Sequence, residues 1–163
     1  MGPYIKLLTY CFGPDSFDFF IAPQAPESDL DIFDLVLYLI VFDARCHPVL
    51  IADIRDDGWV NRADLRCRAD YQIRRRFDSI YQDCPLPRFW GLSLLGISLR
   101  VYGDADTRNI EPRFIDRPSP SRALPRDFLG DGWNIDIPSE EGFSRMREVV
   151  QDIITNTEAL ERS

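Results

Sequence analysis

Residues 33–57 read FDLVLYLIVFDARCHPVLIADIRDD, and this stretch decides the fold. Leu35–Phe42 and Val49–Arg55 are apolar runs joined by a polar turn over Asp43–Pro48. A continuous apolar run of this length marks a strand covered on both faces. Two such runs with a short turn between them predict an antiparallel hairpin. Each run also carries charge where a buried strand should not tolerate it. Asp34 stands where the first begins, and Asp53 and Arg55 where the second ends. Side chains alternate along a strand, so Asp53 and Arg55 share one face while Ala52 and Ile54 take the other. Buried charge is costly unless it is paired or binds a metal, so an acid and a base at strand ends point to a site. Antiparallel pairing brings the start of the first strand near the end of the second, where Asp34 and Asp53 converge. Two carboxylates suit a hard cation such as Mg²⁺, which takes one or two of them plus water and substrate phosphate.

Outward from the hairpin, Ala63–Cys84 predicts a helix. Leu65, Ala69, Ile73, Phe77, Ile80, Tyr81 and Cys84 fall on one face. Arg66, Asp70, Arg74 and Asp78 form a ladder of opposite charges on a second. Arg68, Gln72, Arg75 and Arg76 lie on a third, and Pro85 and Pro87 end the helix. Strands are expected over 89–95 and 97–102 with a bend at Gly96, and 109–115 pairs back. Residues 117–126, rich in Pro and Ser, predict a surface loop, and 134–137 a short extended segment. Ser139 is a good N-cap with Glu140 and Glu141 behind it. The last helix runs to about Glu158, with Phe143, Met146, Val150, Ile153 and Thr157 inward. Near the start, 4–12 and 17–21 are short apolar segments around a Gly13-Pro14-Asp15 turn, and 23–29 is a Pro-rich loop. Hairpin, helix, strands and helix make an α/β or α+β domain, a mixed central β-sheet with flanking helices.

The 163 residues fit one domain, with 1–30 as an N-terminal extension and 139–160 as a C-terminal helix. Composition, 45% hydrophobic and 28% charged, is that of an ordinary soluble globular protein. A net charge of −8 argues against generalised affinity for nucleic acid while leaving room for a local basic patch. Lys6 is the only lysine, so almost all the base is arginine. Cys11, Cys46, Cys67 and Cys84, with the single His47, match no zinc-ligand spacing. Reduced cysteines, no signal peptide and no apolar run long enough to span a bilayer predict an intracellular protein of cytoplasm or nucleus.

Asp34, a hairpin, Asp53-x-Arg55 and then a helix carrying Gln72 resemble the PD-(D/E)XK nuclease-like superfamily over residues 33–103. The order strand, strand, helix, strand is similar as well. The resemblance implies a restriction endonuclease-like core and a metal-dependent DNA nuclease, in which Asp34 and Asp53 bind Mg²⁺. It implies that Arg55 stands in the lysine position that helps activate water, and that Gln72 supports the site from the helix. The runs Ala69–Arg74, Cys84–Pro87 and Gly91–Gly96 resemble uncharacterised proteins of mushroom-forming fungi. The chain departs from the superfamily at Arg55, because arginine stays protonated where a buried lysine can lose its proton. No clear acidic helix precedes the hairpin.

Competing readings use the same residues. Asp53 and Arg55 also read as an ion pair at a strand end leading into Asp56-Asp57-Gly58. Asp34 also reads as a strand-entry residue, with Asp31 its rival, and Gln72 as an ordinary polar helix position. Arg68, Arg75 and Arg76 form either a stripe contacting DNA phosphates or, with Arg74, a solvated charged face. Trp59, Trp90 and Trp133 read as packing residues. The alternative function is a non-catalytic module on the same fold that binds protein or nucleic acid. An unrelated small α/β interaction protein would follow if Asp34 and Asp53 lay far apart.

Overall fold

The computed structural model describes residues 2–13, 18–25, 36–104 and 109–163. The element order is α1 (Pro3–Phe12), β1 (Phe19–Gln24), β2 (Leu37–Asp43), β3 (Pro48–Arg55), α2 (Ala63–Ile80), β4 (Trp90–Leu95), β5 (Ser98–Asp104), β6 (Ile110–Glu111), β7 (Ile135–Asp136) and α3 (Glu140–Arg162). The strands form one sheet in the order β1-β2-β3-β4-β5-β6, with β7 also paired to β5. β3 and β4 run parallel while the other neighbours are antiparallel, so the sheet is mixed. The parallel step requires a crossover, and α2 supplies it.

The expected hairpin is β2-β3. Its turn is built around Asp43, whose Oδ1 accepts from the backbone N–H groups of Arg45 and His47 at 3.0 and 2.8 Å. α2 matches its helical pattern to Ile80 and then tightens into a 3₁₀ turn, Tyr81–Asp83, ahead of Pro85. Gly96 makes the β4-β5 turn at φ +62°, and a Cβ there would stand 2.4 Å from Asp57 Cβ. Ser139 caps α3, its hydroxyl accepting from the Gly142 N–H at 3.0 Å.

Three expectations change. The described residues 2–13 and 18–25 join the domain rather than extending from it: α1 sends Leu8 and Phe12 into the main core, and β1 pairs along β2. Phe143 lies outward at 56% exposure, and Val149 packs inward instead. Of 109–115, only Ile110 and Glu111 pair back on β5.

Helices cover both faces of the sheet. Under α1 and α3 the core is apolar, with Leu39, Val41, Ala52, Leu92 and Leu99 packed against Met146, Val150 and Ile153. Under α2, Ile40, Ile51 and Tyr102 meet Ile73 and Phe77. α2 sits this close because Gly91 has no side chain: a Cβ there would lie 3.3 Å from the Phe77 ring. Among the described residues, no helix is long and apolar enough to cross a membrane.

Candidate functional site

The strand alternation that puts Ala52 and Ile54 in the apolar core turns Asp53 and Arg55 toward α2. Register then fixes their neighbours. Tyr38 on β2, Asp53 on β3, Ser93 on β4 and Arg100 on β5 are successive cross-strand partners. All four are buried, so a polar row crosses the sheet beneath the helix.

At one end of the row, Arg55 closes on Asp53. Its Nε donates to both carboxylate oxygens at 3.0 and 3.2 Å, and its Nη2 donates to Oδ2 at 3.1 Å and to the Tyr38 hydroxyl at 3.0 Å. The two side chains are 0% and 1% exposed. The guanidinium also lies 4.4 Å from the Trp59 ring centroid. Arg55 Nη1 is buried with no hydrogen-bond partner among the described residues. Such a pair loses hydration on both charges and holds only because the fork geometry saturates the carboxylate.

At the other end is a second cluster. Asp70 of α2 accepts from Arg74 Nε at 2.9 Å and from the Tyr102 hydroxyl at 2.8 Å, and Arg100 Nη2 stands 3.7 Å away. Burial first, and then the Asp70 charge, push the Tyr102 phenol well above its ordinary value, so it remains a donor. Arg100 stacks on Trp133, 5.2 Å from the ring centroid, and the Trp133 indole N–H donates to Ser93 Oγ at 3.1 Å. The tryptophans Trp59, Trp90 and Trp133 are all buried. Planar, weakly hydrated guanidiniums can hydrogen-bond at their edges and stack on rings at once, which suits a layer that buries Arg55, Arg66, Arg74, Arg76 and Arg100.

The remaining sequence candidates separate. Asp34 and Asp31 lie outside the described residues. Consecutive helical residues are about 100° apart, and Arg74, Arg75 and Arg76 accordingly diverge. Arg74 goes to Asp70 and, through Nη2, to the Pro112 carbonyl at 2.6 Å. Arg76 is buried, donates to the Ala25 carbonyl at 3.1 Å and lies 3.6 Å from the Tyr38 ring centroid. Arg75 is exposed, and Arg68 is half-buried with its guanidinium 6.0 Å from the Trp59 centroid. Gln72 is half-buried one turn before Arg76. Three members of the charge ladder, Arg66, Asp70 and Arg74, are buried, while Asp78 is exposed; Arg66 donates to the carbonyls of Val60, Arg126 and Phe128, tying the long 113–134 connection to α2.

As arranged, Asp53 suits Mg²⁺ poorly. Both its oxygens accept from Arg55, and an incoming ion would meet a guanidinium already neutralising the carboxylate. Among the described residues, no group of three or more His, Cys, Asp or Glu side chains is placed to hold a metal.

The sequence reading missed the Asp70–Arg100–Tyr102 cluster, although its signal was the one that singled out Asp53. Arg100 sits in the apolar strand Leu99–Tyr102 as Arg55 sits in its own. It also missed a cleft of about 800 Å³ between α2 and residues 109–114. No family model, curated protein or solved structure matches the chain.

Proposed function

We propose that this chain is a non-catalytic binding module built on a nuclease-like frame, in which a buried Asp53–Arg55 pair stands where a metal site would be. The carrying observation is the set of three hydrogen bonds from Arg55 to both oxygens of Asp53, with both side chains excluded from water. A guanidinium stays charged at any ordinary pH, so Arg55 is no general base. The order β2, β3, α2, β4 supports the frame, since it is the order the resemblance implies.

Plasmid DNA incubated with Mg²⁺ or Mn²⁺ tests the reading. Wild type is expected to leave the plasmid intact, and cleavage gained by Arg55→Lys would mark a decayed nuclease. Metal-dependent cleavage by wild type that Asp53→Ala abolishes would overturn the proposal. The active-nuclease reading keeps one observation on its side, an acid retained near the C-terminal end of the strand that precedes the crossover helix.

A further inference from the structure

The cleft between α2 and residues 109–114 has a composition that neither the buried pair nor the fold explains. Two large rings line it while facing water: Tyr71 is 56% exposed and Phe114 49%. Three arginines line it: Arg74 is buried, while Arg75 on the helix and Arg113 on the loop are exposed. Arg113 is 86% exposed at its side chain, and its pairing with Glu111 at 3.8 Å is a loose surface contact.

The cleft is held in place from beneath. Arg74 bonds Asp70 and the Pro112 carbonyl, and its guanidinium carbon lies 5.7 Å from the Phe114 centroid. Asp70 is in turn fixed by Tyr102. The buried network therefore positions the loop wall that carries Phe114 and Arg113.

The lining narrows the occupant. An apolar ligand would leave the guanidiniums and the Asp78 carboxylate unanswered. A bare inorganic anion would leave both rings facing water. A basic peptide would meet the arginines. A long polyanion would meet a chain of net charge −8 everywhere outside the cleft. A flat aromatic ring joined to a phosphate satisfies each element at the scale of a small-ligand pocket. Rings stack on any base, guanidiniums fork onto phosphate, and the exposed Asp78 carboxylate offers acceptors to the amino edge of a base.

We propose that the cleft between α2 and residues 109–114 binds a nucleoside phosphate, its base against Tyr71 and Phe114 and its phosphate on Arg75 and Arg113. The proposal deepens the binding-module reading and rests on it for its biological role. Its own test does not involve DNA cleavage, so the two can fail separately.

Isothermal titration of the intact chain with AMP and GMP, alongside adenosine and ribose 5-phosphate, tests it. At least one nucleotide is expected to saturate, with adenosine and ribose 5-phosphate each weaker by about tenfold or more. Tyr71→Ala is expected to weaken the nucleotide by about tenfold. Arg75→Ala with Arg113→Ala is expected to remove its advantage over adenosine. These side chains are exposed, and far-ultraviolet circular dichroism checks that each variant folds. No saturation by either nucleotide up to about 1 mM would overturn the proposal, as would binding that none of these variants alters. A 5′-phosphorylated single-stranded oligonucleotide that competes with the nucleotide would identify a strand end as the source of the same chemistry. Tighter, strongly salt-dependent binding of duplex DNA, lost with Arg75 and Arg113, would replace the proposal with a backbone-contacting surface.

Discussion

Under α1 and α3 the sheet buries Leu39, Ala52, Leu92 and Leu99 against Met146, Val150 and Ile153. Under α2 the same four strands bury Tyr38, Asp53, Ser93 and Arg100 in a row. The first face is held by dispersion and water exclusion, which are non-directional and tolerate volume-conserving exchange. The second depends on geometry, because each charge is stable only while its partner stays in place. The apolar face thus holds the sheet together, whereas the charged face fixes one arrangement of α2, the 113–134 connection and the cleft wall.

The largest effect that separates the faces is loss of half a buried pair. Arg55→Ala should lower unfolding free energy by about 3–5 kcal/mol, leaving Asp53 charged and without its fork. Urea denaturation reads this directly. Asp53→Leu with Arg55→Met should recover most of the loss, because two apolar side chains owe no desolvation cost. Failure of that double variant to recover would mean that the pair does more than neutralise itself. A core truncation such as Ile153→Ala should cost about 2–5 kcal/mol, with no second charge whose removal restores it.

A smaller effect probes the other cluster. Tyr102→Phe should cost about 1.5–3 kcal/mol by removing the hydroxyl donor to the Asp70 carboxylate. The wild-type phenol ionises well above its ordinary value of 10.0 in the folded chain, through burial and then the Asp70 charge. The unfolded chain therefore releases this proton first. The Tyr102 contribution is complete below about pH 10 and declines as pH rises through the raised value. Alkaline denaturation of wild type should show this decline, and Tyr102→Phe should lack it.

How much of this was legible in the sequence depends on the face. The hairpin, the crossover helix and the C-terminal helix could be read because apolar periodicity reports the apolar contacts on both faces of the sheet, Ile73 and Phe77 of α2 included. Asp53 and Arg55 could be read because charge in a buried strand is conspicuous. Their partners could not, since Tyr38 and Trp59 are set by register and by the turn after β3. Arg66, Asp70 and Arg74 could be read only as a ladder of opposite charges, because four-residue spacing is the same whether a stripe faces water or a polar core. Phe143 looked inward for a related reason: its spacing fits the α3 stripe, yet its ring lies outward beneath the Arg147 guanidinium. The cleft joins residues 71–78 to 109–114, and nothing local in either segment announces the other.

Thiol chemistry gives the finest comparison. Cys46 is exposed in the β2-β3 turn, whereas Cys84 is half-buried and burial pushes its thiol up to about 11. Because only the thiolate attacks, alkylation at pH 8 followed by peptide mass mapping should label Cys46 first and Cys84 late. Equal rates would show that the end of α2 opens more readily than its packing implies.

Mn²⁺ binding tests the proposal that Arg55 stands where a metal would otherwise neutralise Asp53. Electron paramagnetic resonance of the intact chain titrated with Mn²⁺ should show no tightly bound ion that Asp53→Ala removes. One Mn²⁺ held per chain by wild type and released in Asp53→Ala would show instead that the carboxylate remains a metal ligand beside Arg55.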